Sequence, residues 1–301
     1  MTASPWLWAV FTIIAAAAQT ARNAAQRELT VKLGTVGATH VRFLFGFPFA
    51  LLFLAGVVLV TGAGLPRPGA SFWPWVLDGA LMQIAATALM LAAMGERSFV
   101  VAIAYIKTEP IQVALFGLIF LGDHVTVAMA AAILIATAGV VVMSLKGGVA
   151  GGGIRPTVLG LAAGGCFALS AIGYRGAILS LQDPDYVMAA TFTVVVGLAI
   201  QTALLTGYLL IRDRAVLAAI FRAWRPSLFA GFMGALASQF WFLGFATATA
   251  ASVRTLALVE VLFAQAISRF VFKQPTSARE GAGIALIVAG VAFARRNGDR
   301  V

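Results

Sequence analysis

Residues 98–144 read SFVVAIAYIKTEPIQVALFGLIFLGDHVTVAMAAAILIATAGVVVMS, two apolar runs separated by the tetrapeptide LGDH. The first run carries Lys107, Glu109 and Pro110 near its middle. The pattern returns after a shift of 151 residues without a gap, and Glu109 then falls on Glu260. Further matched pairs are Met82 with Met233, Trp73 with Trp224 and Gly139 with Gly290. We infer that the chain is an internal duplication.

The composition indicates that lipid, not water, surrounds most of the chain. Of 301 residues, 61% are hydrophobic and 11% are charged, with a mean hydropathy of +0.97. A soluble domain is about a quarter charged. The net charge of +10 would suit nucleic acid, but basic loops that orient a membrane protein explain it better. We therefore expect a lipid bilayer and no nucleic acid among the partners.

About ten apolar runs are long enough to cross a bilayer, which takes roughly 20 residues each. They are 5–29, 38–61, 73–94, 98–120, 126–145, 156–180, 186–208, 227–247, 250–271 and 277–294. Helices are expected because lipid leaves no water to satisfy the backbone, and the alternation typical of a barrel is absent. The N-terminus lacks a basic region and a cleavage site, so the first run is expected to be a span.

A glycine-rich segment, KGGVAGGGIR at 146–155, divides these runs into five and five. We take 1–148 and 149–301 as the two repeats. An odd number of spans forces the second repeat to insert upside down relative to the first. The predicted fold is an all-α membrane protein with ten transmembrane helices as two inverted five-helix repeats. Spans 5 and 10 carry almost no polar residues in their interior, so they are expected to be packing helices that could form a homodimer face.

Span 4 places two charges near the bilayer midplane. An ionisable group there costs about 2.5–3.5 kcal/mol and faces the protein interior or water. Pro110 lacks an N–H, so the carbonyl of Ile106 loses its partner and the helix should bend. Tyr105 and Glu109 share one helix face, whereas Lys107 points elsewhere. The position of Lys107 implies either a carboxylate on a neighbouring span or an anionic group of a substrate.

Span 9 places Glu260 at the equivalent depth. Arg254 is close enough to the end of its run to reach the interface. Two roles are open for Glu109 and Glu260: groups that bind a proton or cation during transport, and paired or protonated residues of helix packing.

Polar residues also recur at helical spacing in span 1, namely Gln19, Arg22 or Asn23, and Gln26. They face a wet interior, or else Arg22 lies at the membrane edge and reaches the headgroups. In span 2, contact of His40 and Arg42 with headgroups is favoured over contact with substrate. Further polar candidates lie in spans 3, 6 and 8: Gln83, Tyr174, Gln239 and Trp241.

The predicted substrate site gathers the polar residues of these spans near the midplane. It consists of Asn23, Gln83, Tyr105, Lys107, Glu109, Tyr174, Gln239, Trp241 and Glu260. The single cysteine, Cys166, and the separated His40 and His124 indicate neither a disulfide nor a metal site. We expect no catalytic residues, metal or cofactor. An intramembrane enzyme would need paired aspartates, a Ser-His pair or a metal cluster at depth, and the only aspartate within a run, Asp78, lies near its end.

The chain resembles the drug/metabolite transporter superfamily, in its ten-helix EamA-like branch. The features are the five-plus-five layout, YIKTEP at 105–110, FLGD at 120–123 and the Ala-Gly-Val endings of spans 5 and 10. The resemblance covers essentially the whole chain and implies a carrier of amino acids, sugars, nucleotide-linked metabolites or drugs. One departure is that Asp123 has Lys273-Gln-Pro at the corresponding place in the second half.

We therefore expect a secondary transporter, more an exporter than an importer, of a small polar or amphipathic metabolite such as an amino acid. It would lie in the inner or plasma membrane, with a proton or ion as a coupling partner. A passive channel is the alternative of another class. Eleven basic residues lie in loops on one side and four on the other, which predicts both termini outside the cytoplasm. The family resemblance implies the opposite orientation.

Overall fold

The computed structural model describes residues 6–96, 106–144, 154–183, 185–270 and 278–298. The helices in chain order are α1 (Leu7–Leu44), α2 (Gly46–Thr61), α3 (Phe72–Glu96), α4 (Glu109–Phe116), α5 (Val127–Ser144), α6 (Ile154–Ser180), α7 (Tyr186–Arg212), α8 (Arg214–Arg222), α9 (Trp224–Thr247), α10 (Ala250–Leu256), α11 (Val259–Phe270) and α12 (Ala278–Gly298). A π-helical turn, Gly117–Leu121, extends α4. Since these residues include no β-strand, the predicted all-α class is confirmed for them.

Within the described residues, five segments are long and apolar enough to cross a membrane: Leu7–Thr61, Phe72–Ala93, Thr157–Ser180, Tyr186–Arg212 and Trp224–Thr247. Shorter apolar helices are Glu109–Leu121, Val127–Val142 and Gly281–Ala294. Large apolar side chains point outward along these helices, whereas many polar and charged side chains are buried among them. This distribution is the one expected in lipid, and the chain is an all-helical membrane protein.

The first two predicted spans are joined without the expected loop at 30–37. Helix α1 continues through these residues and breaks only at Gly34, whose φ of 68° and ψ of 176° are accessible essentially to glycine alone. The chain breaks again at Phe45, three residues before Pro48. The missing N–H of Pro48 leaves the carbonyl of Leu44 without a helical partner, which accounts for the break at this point.

Two long helix pairs form the centre of the molecule. Helix α3 packs along α6, and α1 packs along α9. Glycines allow these close approaches, because a side chain at Gly176 would enter the ring of Trp75 and one at Gly231 would enter Phe45. Between α3 and α6, Ser170 Oγ also donates to the carbonyl of Gly79 at 2.9 Å.

A third pair consists of α5 and α12, two helices whose central turns carry almost no polar residues. A Cβ on Gly139 would lie 2.7 Å from the carbonyl oxygen of Gly283, and one on Gly290 would lie 2.6 Å from the amide nitrogen of Ala136. These separations are shorter than any Cβ tolerates, so the two backbones touch at the glycines. The helices therefore cover each other along this face.

The fourth and ninth predicted spans are both interrupted at depth. Helix α4 begins only at Glu109, after a turn at Lys107 and Thr108, and α11 begins after a turn at 257–258. Pro110 explains the first interruption, because it occupies the first turn of α4. The second has no proline, and the sequence analysis did not anticipate it.

Candidate functional site

Two ion pairs at depth join span 4 to span 9. Lys107 Nζ lies 2.5 Å from Glu260 Oε2, and Arg254 Nε lies 3.0 Å from Glu109 Oε1. All four residues are buried, with 5–6% of their surface exposed. The second contact is electrostatic, since its geometry lacks the alignment of a hydrogen bond. Each span contributes one cation and one carboxylate, so the pairs are crossed.

Both carboxylates also lie in the first turn of a helix, Glu109 in α4 and Glu260 in α11. The free N–H groups at a helix N-terminus carry a partial positive charge that stabilises a nearby carboxylate. The interruptions of spans 4 and 9 create these helix starts at depth. They therefore supply a favourable field for each carboxylate in addition to its ion pair.

Helices α1 and α9 complete the surroundings of Glu260. Gln19 Nε2 donates to Glu260 Oε2 at 3.1 Å, and Asn23 Nδ2 donates to Oε1 at 3.3 Å. Trp241 Nε1 donates in turn to Gln19 Oε1 at 3.1 Å, which fixes the orientation of the Gln19 amide. Glu260 is thus bound by one ammonium and two amides from spans that are distant in sequence.

Arg254 does not reach the membrane interface, contrary to the expectation from its position in the run. Its guanidinium carbon lies 4.5 Å from the ring centroid of Trp241 and 5.3 Å from that of Phe245. The aromatic faces and Glu109 together hold the cation inside the protein. A residue near the end of a span can be turned inward when a neighbouring helix offers such partners.

A second polar cluster links α7 to α3 and α6 through Gln201. Its amide nitrogen lies 3.0 Å from Gln83 Oε1, 2.9 Å from the hydroxyl of Tyr174 and 3.2 Å from the carbonyl of Ala80. Gln83 and Tyr174, both predicted site residues, therefore meet at a residue that the prediction omitted. In this arrangement Gln83 bridges helices.

Of the two remaining predicted site residues, only Gln239 is described, and its hydrogen bond joins α9 to α7 outside these clusters. Gln239 Nε2 donates to Thr191 Oγ1 on α7 at 2.7 Å. Tyr105 lies outside the described residues.

Three basic residues of α1 are buried, and this corrects the headgroup contacts expected for His40 and Arg42. Arg22, His40 and Arg42 are exposed by only 1%, 0% and 2%. His40 Nε2 lies 3.0 Å from Thr206 Oγ1, and Arg42 Nη1 donates to Thr87 Oγ1 at 3.1 Å. The break at Gly34 turns this part of the chain inward between other helices. For Arg22, the interior alternative is the one observed.

The structure thus brings together Asn23, Lys107, Glu109, Trp241 and Glu260 from the predicted set. The prediction omitted Gln19, Arg22, Arg42, Gln201 and Arg254. The helical spacing of polar residues in span 1 already contained a signal for Gln19 and Arg22. Nothing comparable distinguishes Arg42 or Arg254, because both lie near the ends of their runs. Within the described ranges, no group of three or more His, Cys, Asp or Glu side chains is arranged to hold a metal ion.

Comparison with known proteins supports the architecture and leaves the chemistry open. No family model matches the chain, and no curated protein matches it. Solved structures do match. One crystal structure of a protein aligns with a TM-score of 0.71 over 98% of this chain and 97% of the other, at 17% sequence identity.

The likeness shows the fold alone. An identity of 17% is too low to carry a substrate or an activity from one protein to the other. Function must therefore be argued from the buried charges and from the way the helices are arranged around them.

Proposed function

We propose that the protein is a secondary transporter that exposes a buried polar site alternately to the two sides of the membrane. The site consists of the crossed ion pairs and the amides around Glu260, between the two repeats. Its polar atoms are held by one another inside the protein. The substrate is a small polar or amphipathic metabolite, such as an amino acid.

The crossed ion pairs carry this proposal. Lys107 and Glu109 belong to the first predicted repeat, whereas Arg254 and Glu260 belong to the second. Charges held at the midplane next to interrupted helices are typical of carrier sites, because the free helix ends and the side chains bind polar groups there. A change between two conformations can occur by exchange of such contacts across the interface.

The helix contacts support the two-repeat arrangement. A shift of 151 residues carries the α1–α9 pair onto the α6–α3 pair, and it exchanges α5 with α12. It also carries the contact of Gly139 with Gly283 and Ile287 onto that of Gly290 with Ala132 and Ala136. Such reciprocal contacts are expected of inverted repeats related by an in-plane two-fold axis, and the five-plus-five count of spans remains our proposal.

The resemblance to EamA-like transporters favours export across the inner or plasma membrane, with a proton or cation bound by the glutamates as the coupling partner. The structural likeness is compatible with this assignment through its fold. A homodimer remains a prediction.

Counterflow in liposomes tests the proposal. The purified protein is reconstituted, the vesicles are loaded with unlabelled amino acids, sugars, organic anions or cationic drugs, and uptake of the labelled compound is followed. A carrier gives saturable uptake with a transient overshoot, whereas a channel gives neither. Empty vesicles are the control. Absence of counterflow for every class, in vesicles whose protein is shown to be folded, would contradict the proposal.

A further inference from the structure

Two arginines of α1 face each other across the break at Gly34. Gln26 Nε2 donates to the carbonyl of Ala38 at 2.8 Å and so joins the two limbs of α1 on either side of Gly34. Arg22 lies one helical turn further from the break on the first limb, and Arg42 lies one turn further on the second. The two guanidinium groups therefore extend from neighbouring positions on antiparallel limbs.

Both arginines lie deep in the protein. At about 1.5 Å per residue, Arg22 is about 18 Å and Arg42 about 12 Å along the limbs from the break. Their exposed fractions of 1% and 2% exclude contact with bulk water. Long side chains near a membrane surface usually extend to it, and these two do not.

The buried charges do not balance. Among the described residues that are buried, Arg22, Arg42, Lys107 and Arg254 are cations, whereas Glu109 and Glu260 are the carboxylates. Lys107 and Arg254 take up both carboxylates in the crossed pairs. A net charge of two cations is left at Arg22 and Arg42. An uncompensated charge removed from water costs several kcal/mol.

The contacts of the two arginines are to neutral groups. Arg22 Nη2 donates to Asn23 Oδ1 at 2.7 Å, and Arg42 Nη1 donates to Thr87. Arg22 Nε is fully buried and has no hydrogen-bond partner. Within the described part of the chain, no carboxylate oxygen lies within 4.0 Å of either guanidinium.

We propose that Arg22 and Arg42 bind the anionic group of the transported substrate, a carboxylate or phosphate. The assignment rests on the proposed transport function and defines its substrate class. A guanidinium presents its N–H groups as a planar fork that matches the oxygens of these anions. The anion supplies the negative charge that is needed to balance the four buried cations. Asn23 connects the anion site to Glu260, because it accepts from Arg22 and donates to Glu260.

Gly234 of α9 lies next to both arginines. A Cβ on Gly234 would be in van der Waals contact with them, 3.4 Å from Arg22 Cδ and 3.5 Å from Arg42 Cβ. In the other repeat the matching residue is Gln83, which bonds to Gln201, so the two repeats differ at this position.

Thermal unfolding of the purified protein in detergent, followed by tryptophan fluorescence, tests this assignment. The probes are succinate and inorganic phosphate at constant ionic strength, with neutral succinamide as the matched control. We expect saturable stabilisation by at least one anion and none by succinamide. Arg22→Gln and Arg42→Gln should each weaken the apparent affinity roughly 10- to 100-fold, because hydrogen bonds to a charged group are lost.

Arg225→Gln is the control variant, because Arg225 is exposed and lies over the ring of Trp224. Without anion, the Arg22→Gln and Arg42→Gln proteins should melt no lower than wild type, since each loses an uncompensated buried charge. Should a glutamine variant fail to fold, Arg22→Lys and Arg42→Lys keep the charge without the fork and should still show weakened binding. Stabilisation by vesicles of phosphatidylglycerol, without any by the soluble anions, would identify a lipid site and overturn the assignment.

Equal stabilisation by succinamide, unchanged anion affinity in both arginine variants, or no stabilisation by either anion would also overturn it. Failure of the transport proposal can be distinguished from failure of the anion assignment. If the anions bind at the arginines but no compound shows counterflow, the transport proposal fails and the anion site stands. If a neutral or cationic compound is carried, transport stands and the anion assignment fails.

Discussion

At the scale of single residues, the contribution of each buried charge to stability depends on its partner in the ion pair. Lys107 and Glu260 lie 2.5 Å apart with little access to water. Bringing two charges into a protein interior costs nearly as much as their attraction returns, so such a pair adds little net stability. Removal of one partner is different, because it leaves the other charge buried and uncompensated.

We expect Lys107→Met to lower the free energy of unfolding by about 3–5 kcal/mol. The double variant Lys107→Met/Glu260→Gln should recover most of this loss, since no unpaired charge remains. Chemical or thermal unfolding of the detergent-solubilised proteins measures both. A double variant as unstable as the single one would show that Lys107 acts through packing and not through its charge.

Neutralisation of the glutamates should affect transport. We expect Glu109→Gln and Glu260→Gln proteins to reach the membrane and to lose most transport or its pH dependence, because each carboxylate is one half of a contact between the repeats. Counterflow at several pH values is the measurement. Glu28→Gln, at an exposed position of α1, is the control. Wild-type rates and pH profiles in both buried variants would assign the glutamates to helix packing.

At the scale of elements, small residues determine which helices meet. The α5–α12 contact depends on backbone approach at Gly139 and Gly290. In lipid, where apolar surface is already solvated by apolar chains, close van der Waals contact is the main force available to such a pair.

Gly290→Leu should therefore destabilise the protein by roughly 1–3 kcal/mol, since a side chain at this position would overlap the backbone of α5. The matched control lies in the same helix. A Cβ on Gly281 has no neighbour within 4 Å, so Gly281→Leu should be neutral or gain up to about 1 kcal/mol from helix propensity. Thermal unfolding in detergent compares the two. Equal stabilities would contradict a tight α5–α12 contact.

At the scale of the whole molecule, the distribution of basic residues predicts how the protein is oriented in the membrane. In the sequence prediction, eleven basic residues lie at the connections between spans 1 and 2, 3 and 4, 5 and 6, 7 and 8, and 9 and 10: Arg27, Lys32, Arg97, Lys146, Arg155, Arg212, Arg214, Arg222, Arg225, Lys273 and Arg279. The predicted opposite side has Arg67, Arg295, Arg296 and Arg300. The positive-inside bias predicts that the side with eleven basic residues is cytoplasmic.

Reporter fusions at Val301 test this orientation. A reporter that is active only outside the cytoplasm should give a signal, and one that is active only inside should not, because the charge bias places both termini outside. A fusion within the 146–155 segment should give the reverse result and serves as the control. A clear cytoplasmic signal at Val301 would favour the orientation implied by the EamA-like resemblance.

Hydropathy and internal repetition can both be read directly from the sequence. They predicted the membrane-helix class and the interior position of Glu109 and Glu260. An ionisable group in the middle of an apolar run cannot reach water along its own helix, so its interior position follows from the sequence. The polar spacing in span 1 likewise placed Asn23 toward the interior. Pro110 marked the interruption of span 4.

Only the tertiary structure decided the partners. Gln19 and Glu260 are 241 residues apart, and no spacing within one helix relates them. Arg42 and Arg254 lie near the ends of their runs, where the same residue can reach headgroups or turn inward. The choice depends on what the neighbouring helices present: Thr87 to Arg42, and Glu109 with two aromatic rings to Arg254. Depth along a helix is encoded locally, whereas the direction in which a long side chain finds its partners is a property of the assembled bundle.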